Sequence, residues 1–139
     1  MSRRRSSRQR TSLEEAVARA SPTVAQRLAD FGGNLRYDDL PIAVVEAIKL
    51  HVLDSVGCAL AAHALGVAEA VGAVVGSQAG NGQSTAVGEQ LRLPAASAAL
   101  VNGTLMHALD FDGTHGASRV HVSAPVIPAA LACAEENDL

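Results

Sequence analysis

The amino-acid sequence predicts an all-α fold, a bundle of several helices in one domain. Apolar residues make up 48% of the 139 residues, whereas aromatic residues make up only 2%. Alanine, valine and leucine must therefore build the core, and this composition favours closely packed helices over a β-sandwich. Apolar residues also recur at helical spacing, with proline and glycine where helices would begin and end.

The first two predicted helices are short. Ser12 has the capping-box form, with a glutamate three residues later, and would begin a helix that ends near Ala20. Ser21 at the N-cap and Pro22 at the first helical position would begin the second helix. That helix would end at the glycine pair 32–33.

The longest predicted helix runs from Pro41 to about His63, with Asp38 or Asp39 as its cap. Its apolar residues cover nearly the whole circumference, which is typical of a central, buried helix.

Later segments complete the predicted bundle. The pattern predicts helices over residues 67–78, 94–109 and 124–137, a short extended piece over 84–88, and a loop over 112–123.

Charge is unevenly distributed along the chain. Five of the 11 basic residues lie within the first ten positions, so the remainder has six basic and 14 acidic residues. We interpret residues 1–11 as a disordered, solvated arm and residues 12–139 as a partial helical domain. The acidic remainder argues against a nucleic-acid partner. No apolar run reaches the roughly 18 uncharged residues of a membrane span, and two isolated cysteines are typical of a cytoplasmic protein.

Polar residues are concentrated within fifteen positions near the C-terminal end. This segment contains three of the five histidines. His107 and Asp110 are three residues apart and would share a face if the helix continued between them. The polar residues of the segment are His107, Asp110, Asp112, Thr114, His115, Arg119 and His121.

These residues alone allow several interpretations. Residues 110–114 spell DxDGT, the motif of phosphatases that use an aspartate nucleophile, but that motif should follow a buried strand. A Zn²⁺ or Fe²⁺ site could use Asp110, Asp112, His115 and His121, although their spacing matches no familiar ligand pattern. A polar loop without function is the third interpretation.

Three stretches resemble the MmgE/PrpD family of 2-methylcitrate dehydratase-like enzymes. They are LP followed by K and LDSVG over residues 40–57, ALVNGTLMHALDFD over 99–112, and TH followed by HVSAPVIPAALA over 114–132. The resemblance covers residues 23–139. Two positions depart from the family pattern: Gly113 replaces an aspartate, and Val122 replaces a proline.

The resemblance implies the N-terminal portion of a helical domain, without the family's smaller lid domain. It implies a lyase that acts on small polycarboxylates by removing a proton next to a carboxylate, as a homodimer or with a companion chain supplying the rest of the fold. No cofactor and no metal is expected. Family members are about three times as long, so we expect this chain alone to have little activity. A non-catalytic helical remnant that only dimerises is the alternative.

By position in the motif, Asp110, Thr114 and His121 match residues that line the family's site. Thr114 would donate a hydrogen bond to a substrate carboxylate. His121 is the candidate for proton transfer because histidine side chains exchange protons near neutral pH, while Asp110 would be a base or would orient a histidine. His115 and Arg119 have the chemistry of carboxylate binders.

Overall fold

The computed structural model describes residues 21–78, 80–90 and 92–139, in two compact units that divide between Leu40 and Pro41. The predicted arm and the helix predicted from Ser12 lie outside the described residues. The described part is mostly helical, which confirms the predicted fold class. Its elements are α1 (Val24–Asn34), a 3-10 turn (Tyr37–Asp39), α2 (Ile42–Ala64), α3 (Glu69–Gln78), α4 (Ala95–His107), β1 (Thr114–His115), β2 (Val120–His121) and α5 (Ser123–Glu136).

Helix α1, in the first unit, begins two residues later than predicted. Thr23 is its N-cap: the Thr23 hydroxyl accepts from the backbone N–H of Gln26 at 3.2 Å, and the Gln26 side chain accepts from the Thr23 N–H at 2.8 Å. This reciprocal capping box outcompetes the predicted start at Ser21. The glycine pair 32–33 lies inside the helix, which continues to Asn34.

Helix α2 was predicted as a buried helix, and that prediction is wrong for much of its surface. Small residues form the buried face, including Ser55 and Ala59, whereas Leu50 and Leu53 are 68% and 70% exposed. Helix α2 belongs to the second unit, where it packs on α4 and α5. These two helices cover only one face of a helix that is apolar nearly all round. The predicted aspartate caps are also wrong, because both residues belong to the 3-10 turn and neither makes a capping bond.

The centre of the second unit is the packing of α4 against α5. A Cβ added at Gly103 would lie 3.1 Å from the carbonyl oxygen of Ala124. Pro128, four residues after Ala124, has no N–H to bond that oxygen, so the carbonyl is free to face α4. The two helices approach closely because position 103 has no side chain.

Asn102 ties α4 to the segment predicted as extended. Its side-chain oxygen accepts from the N–H of Val87 and its amide donates to the carbonyl of Thr85, both at 2.8 Å. Ser84 forms an antiparallel bridge with Leu93 in the same segment. Asn102, part of the family-like motif, therefore has a structural role.

Glu135 of α5 holds the other side of this segment. Its carboxylate accepts from the backbone N–H and the hydroxyl of Thr85, and Arg92 Nη1 lies 3.9 Å away. The hydrogen bond from the Thr85 N–H is the main cause that holds the pKa of Glu135 below its usual value.

Across the described part of the chain, no single helix is long and apolar enough to cross a membrane. Helix α2 and residues 69–77 of α3, bent by 91° at their junction, pass that test only as a pair, on length and composition.

Replacing Gly57 and Gly103 by alanine tests the close helix packing. Gly57→Ala is expected to raise the free energy of unfolding by about 1 kcal/mol, because alanine is the better helix former and a Cβ there meets nothing within 4 Å. Gly103→Ala should raise the free energy of unfolding by less than Gly57→Ala does, or lower it, because the new Cβ presses on the Ala124 carbonyl. Urea unfolding measures both variants, and equal stabilisation would contradict the packing argument.

Glu135 predicts an acid-sensitive contribution to stability. Because its folded-state pKa is lowered, its stabilising effect is present above the unfolded-state value of about 4.3 and is lost as the pH falls through the folded-state value. Glu135→Gln should flatten the loss of stability below about pH 5, by less than about 1 kcal/mol since the side chain is partly exposed. Urea midpoints across pH measure this. Glu46→Gln, in a surface pair with Lys49, is the control, and identical profiles for the two variants would refute the role of Glu135.

Candidate active site

The candidate site begins where α4 ends. The helix stops at His107, and Asp110 adopts a left-handed backbone conformation with φ 52°, its N–H bonding the carbonyl of His107 at 2.9 Å. Aspartate tolerates this conformation better than most residues. His107 and Asp110 were expected to share a helix face only if the helix continued between them, and it does not: it ends at His107.

This reversal brings Asp112 back beneath the last turn of α4. The Asp112 side chain is fully buried, and its Oδ1 lies 2.9 Å from Nδ1 of His107 in a hydrogen bond. Its Oδ2 lies 3.2 Å from Nδ1 of His121, within ion-pair distance, but the angles do not form a hydrogen bond. One buried carboxylate thus lies between two imidazoles whose ring centroids are 4.8 Å apart.

The hydrogen bond between Asp112 and His107 shifts the pKa of both side chains. Burial alone would raise the pKa of Asp112, but hydrogen bonding to His107 and to the backbone outweighs burial and leaves that pKa below its usual value. The same hydrogen bond, reinforced by the negative charge of Asp112, raises the pKa of His107. The contact therefore favours the charged form of each side chain, protonated His107 and ionised Asp112, relative to its ordinary tendency.

Three of the candidate residues predicted from sequence converge around the outer edge of His121. Its Nε2 lies 3.5 Å from the hydroxyl of Thr114 and 3.7 Å from Oδ1 of Asp110. Thr114 and His121 are direct partners in the β1–β2 ribbon, which fixes their proximity. The predicted loop over 112–123 contains this ribbon.

His115 and Arg119 lie apart from that group. Neighbouring residues of a strand point to opposite faces, so His115 turns away from the side where Thr114 meets His121. Its Nδ1 lies 2.7 Å from the hydroxyl of Ser118. Arg119 closes the ribbon turn in a left-handed conformation, with φ 53° and its N–H bonded to the carbonyl of His115.

Two open grooves flank the site. The first has a volume of about 550 Å³ and lies between α4 and the start of α5, with His107 and His121 among otherwise mostly apolar lining residues. The second, of about 610 Å³, lies between α2 and α5 and is lined by Thr114, His115 and His51 together with aliphatic side chains. The ribbon forms part of the wall of both.

The two departures from the family pattern, Gly113 and Val122, lie in ordinary backbone conformations. Gly113 does not use a positive φ; instead a Cβ there would lie 3.3 Å from Nδ1 of His51 and 3.5 Å from the hydroxyl of Ser123. Val122 has a φ of −85°, within about 20° of the angle that proline imposes. Glycine at position 113 therefore leaves room beside His51 and Ser123 that a side chain would fill. Valine at position 122 keeps a φ angle close to that of proline, without the ring that would fix it.

The structure also decides between the interpretations of the polar segment. A helix, and not a buried strand, precedes Asp110, so the phosphatase interpretation is wrong. For metal binding, the donors that come within 4.8 Å of one another in the described residues are His107, Asp110, Asp112 and His121. His107 thus takes the place that the sequence interpretation gave to His115.

Neither His107 nor Asp112 was among the catalytic residues predicted from the sequence. The contact between them spans the end of a helix and a left-handed residue, a path that residue spacing does not encode. The one available signal was the presence of a histidine and an aspartate on either side of the predicted helix end.

The fold and site define a helical domain that carries an acid–base cluster at a helix end. Residues 26–138 match the model of the MmgE/PrpD N-terminal domain, and the chain belongs to this family. It is 26% identical to a cis-aconitate decarboxylase-like protein, oryM, of Aspergillus oryzae over 112 residues, which are 81% of this chain and 23% of that protein. It is also 26% identical to the cis-aconitate decarboxylase of Aspergillus terreus over 122 residues, 88% of this chain and 25% of that enzyme. The chain thus spans about a quarter of the length of these relatives.

Asp112→Asn tests the electrostatic pairing at the site. Removing the charge should lower the pKa of His107 towards the ordinary histidine value of about 6.5, because the Asp112 carboxylate is the cause of its rise. Histidine ring resonances followed by NMR across pH in a chelating buffer measure the change. His63, outside the site, is the internal reference, and an unchanged His107 titration would contradict the pairing.

Proposed function

We propose that this chain supplies part of the active site of a lyase that acts on small polycarboxylates by proton transfer at carbon next to a carboxylate. The observation that carries the proposal is the convergence of Asp110, Thr114 and His121, the three positions that match the family motif. The contacts of His121 Nε2 with Asp110 and Thr114 measure 3.7 and 3.5 Å.

His121 has the arrangement of a general acid or base. The buried carboxylate of Asp112 faces its Nδ1, which leaves Nε2 as the atom that can exchange a proton with a substrate. A carboxylate behind an imidazole orients the ring and stabilises its charged form. Asp110, whose side chain is 81% exposed, either serves as a second base or orients His121, and both roles remain part of the proposal.

Decarboxylation and dehydration make related demands on such a site. Loss of CO₂ leaves a carbanion that must take a proton, whereas dehydration begins by removing a proton and ends by protonating the departing hydroxyl. A protonatable imidazole serves either reaction. The relatives that carry the name cis-aconitate decarboxylase favour the first for this chain, with cis-aconitate or a similar polycarboxylate as substrate.

Carboxylate recognition is assigned to the ribbon. We propose that the Thr114 hydroxyl, 3.5 Å from Nε2 of His121, donates a hydrogen bond to a substrate carboxylate. His115 borders the groove between α2 and α5, and Arg119 lies at the ribbon turn; we propose both as binders of further carboxylates, with no metal and no cofactor in the reaction.

Partners and location follow from the same proposal. We propose a cytoplasmic enzyme, without nucleic-acid or membrane partners, that works as a homodimer or with a companion chain. The large aliphatic side chains exposed along α2, such as Leu50 and Leu53, support a partner surface, because contiguous apolar patches of this kind are typical of interfaces.

The experiment titrates the protein with cis-aconitate while backbone NMR spectra and substrate resonances are recorded. We expect saturable shifts at Thr114, His121 and Asp110, stronger than those caused by acetate, and conversion of the substrate wherever the rest of the enzyme is present. An absence of both site shifts and conversion would overturn the lyase proposal and favour the alternative, a helical remnant that only dimerises.

His121→Gln separates proton transfer from binding. In turnover assays of the enzyme containing this segment, kcat should fall by about 10²- to 10⁴-fold, the usual contribution of a general acid or base, with little change in substrate affinity. Thr114→Val should instead weaken binding by about tenfold, because a hydrogen bond to a charged group is lost. A His121 variant with normal kcat would assign the proton transfer elsewhere.

A further inference from the structure

The end of α4 and the ribbon assemble a donor cluster, defined as His107, Asp110, Asp112 and His121. Each residue offers one ligand atom, and the four atoms lie within 4.8 Å of one another. We propose that this donor cluster binds one divalent transition-metal cation, with Zn²⁺ as the best-matched ion. The two side-chain classes in the cluster, imidazole and carboxylate, are both ordinary zinc ligands.

The spacing of the donors suits a tetrahedral ion. With bonds of about 2.0–2.2 Å, neighbouring ligand atoms around zinc lie about 3.3–3.6 Å apart. Oδ2 of Asp112 lies 3.2 Å from Nδ1 of His121, close to that value, and one ligand atom of each of the four residues lies within 4.8 Å of the others.

A second observation points to a ligand at this place. Oδ2 of Asp112 belongs to a side chain with no exposed surface, and neither it nor the facing Nδ1 of His121 has a hydrogen-bond partner. Buried polar atoms are nearly always satisfied, because an unmade bond costs about 1–3 kcal/mol. A cation between the two atoms would satisfy both.

The charge of the cluster agrees with a divalent ion. Two ionised carboxylates and two neutral imidazoles sum to −2, which one Zn²⁺ neutralises. Among the residues that the structure describes, neither Asp110 nor Asp112 forms an ion pair with a lysine or arginine. Protonation of His107 is the competing way to offset the Asp112 charge, so zinc and protons should compete for the cluster.

The cluster uses different ligands from those that residue type and spacing suggested. His115 lies outside it and its Nδ1 contacts Ser118, whereas His107 lies inside it. His115→Ala is therefore a matched control: it removes a nearby histidine of the same segment without removing a proposed ligand. Cys133→Ser controls for the exposed thiol.

Occupation of the cluster would also affect catalysis, and this consequence alone rests on the proposed function. An ion bound by Asp110 and by Nδ1 of His121 occupies one group assigned to proton transfer and lowers the basicity of the other, Nε2 of His121, so Zn²⁺ should inhibit the lyase and a chelator should restore it. Zinc binding is measured without turnover, so a saturable zinc site in a chain that shows no site shifts with cis-aconitate, and no conversion where the rest of the enzyme is present, would refute the lyase proposal and leave the metal site supported.

The experiment titrates the metal-stripped full chain with ZnCl₂ near pH 7.5 by calorimetry, with circular dichroism to verify the fold of each variant. We expect one zinc per chain, weaker binding at pH 6, and a Kd raised by about 10- to 100-fold or more in Asp112→Asn and His107→Ala. His115→Ala and Cys133→Ser should keep the Kd of the parent chain.

Ring-nitrogen NMR of the unmodified chain provides an independent test that does not depend on the folding of variants. Zinc should shift the ring-nitrogen resonances of His107 and His121, while those of His115 stay in place. No saturable binding, binding unchanged in both Asp112→Asn and His107→Ala, or zinc-induced shifts at His115 in place of His107 would each overturn the proposal.

Discussion

The close approach of α4 to α5 is the constraint on which the rest of the second unit depends. A Cβ at position 103 would lie 3.1 Å from the carbonyl oxygen of Ala124, a carbonyl to which Pro128 has no N–H to donate. Because the site lies where α4 ends and α5 begins, the distance between these helices sets the distance between His107 and His121. A bulkier residue at position 103 would therefore change both the distance between the helices and the geometry of the site.

The buried Asp112 carboxylate concentrates the chemistry of the site. A charge without exposed surface is stable only when donors or cations surround it, and this carboxylate faces imidazoles on both sides. A proton shared with His107, a substrate proton passing through His121, and a divalent cation are three ways to meet the same electrostatic demand. This shared demand explains why the proposed acid–base site and the proposed metal site use overlapping residues.

Particular elements show how far sequence patterns reach. The helix over residues 94–109 was predicted despite its internal Asn102-Gly103, and the structure assigns both residues a role that periodicity does not express: one bonds the extended segment and the other admits α5. The burial of α2 was predicted incorrectly, because a helix that is apolar nearly all round does not reveal which faces its neighbours cover. Helix starts were misplaced by one or two residues where caps competed, as at Thr23.

The sequence by itself determined the helical class, the family and three of the converging residues, Asp110, Thr114 and His121, because local periodicity and motif order are written directly in the chain. Only the tertiary structure decided that His107 joins them and that His115 does not. Those outcomes depend on a left-handed residue that ends α4 and on the alternation of side chains in a two-residue strand. Both set the direction in which a side chain points, and this direction cannot be read from the spacing of residues along the chain.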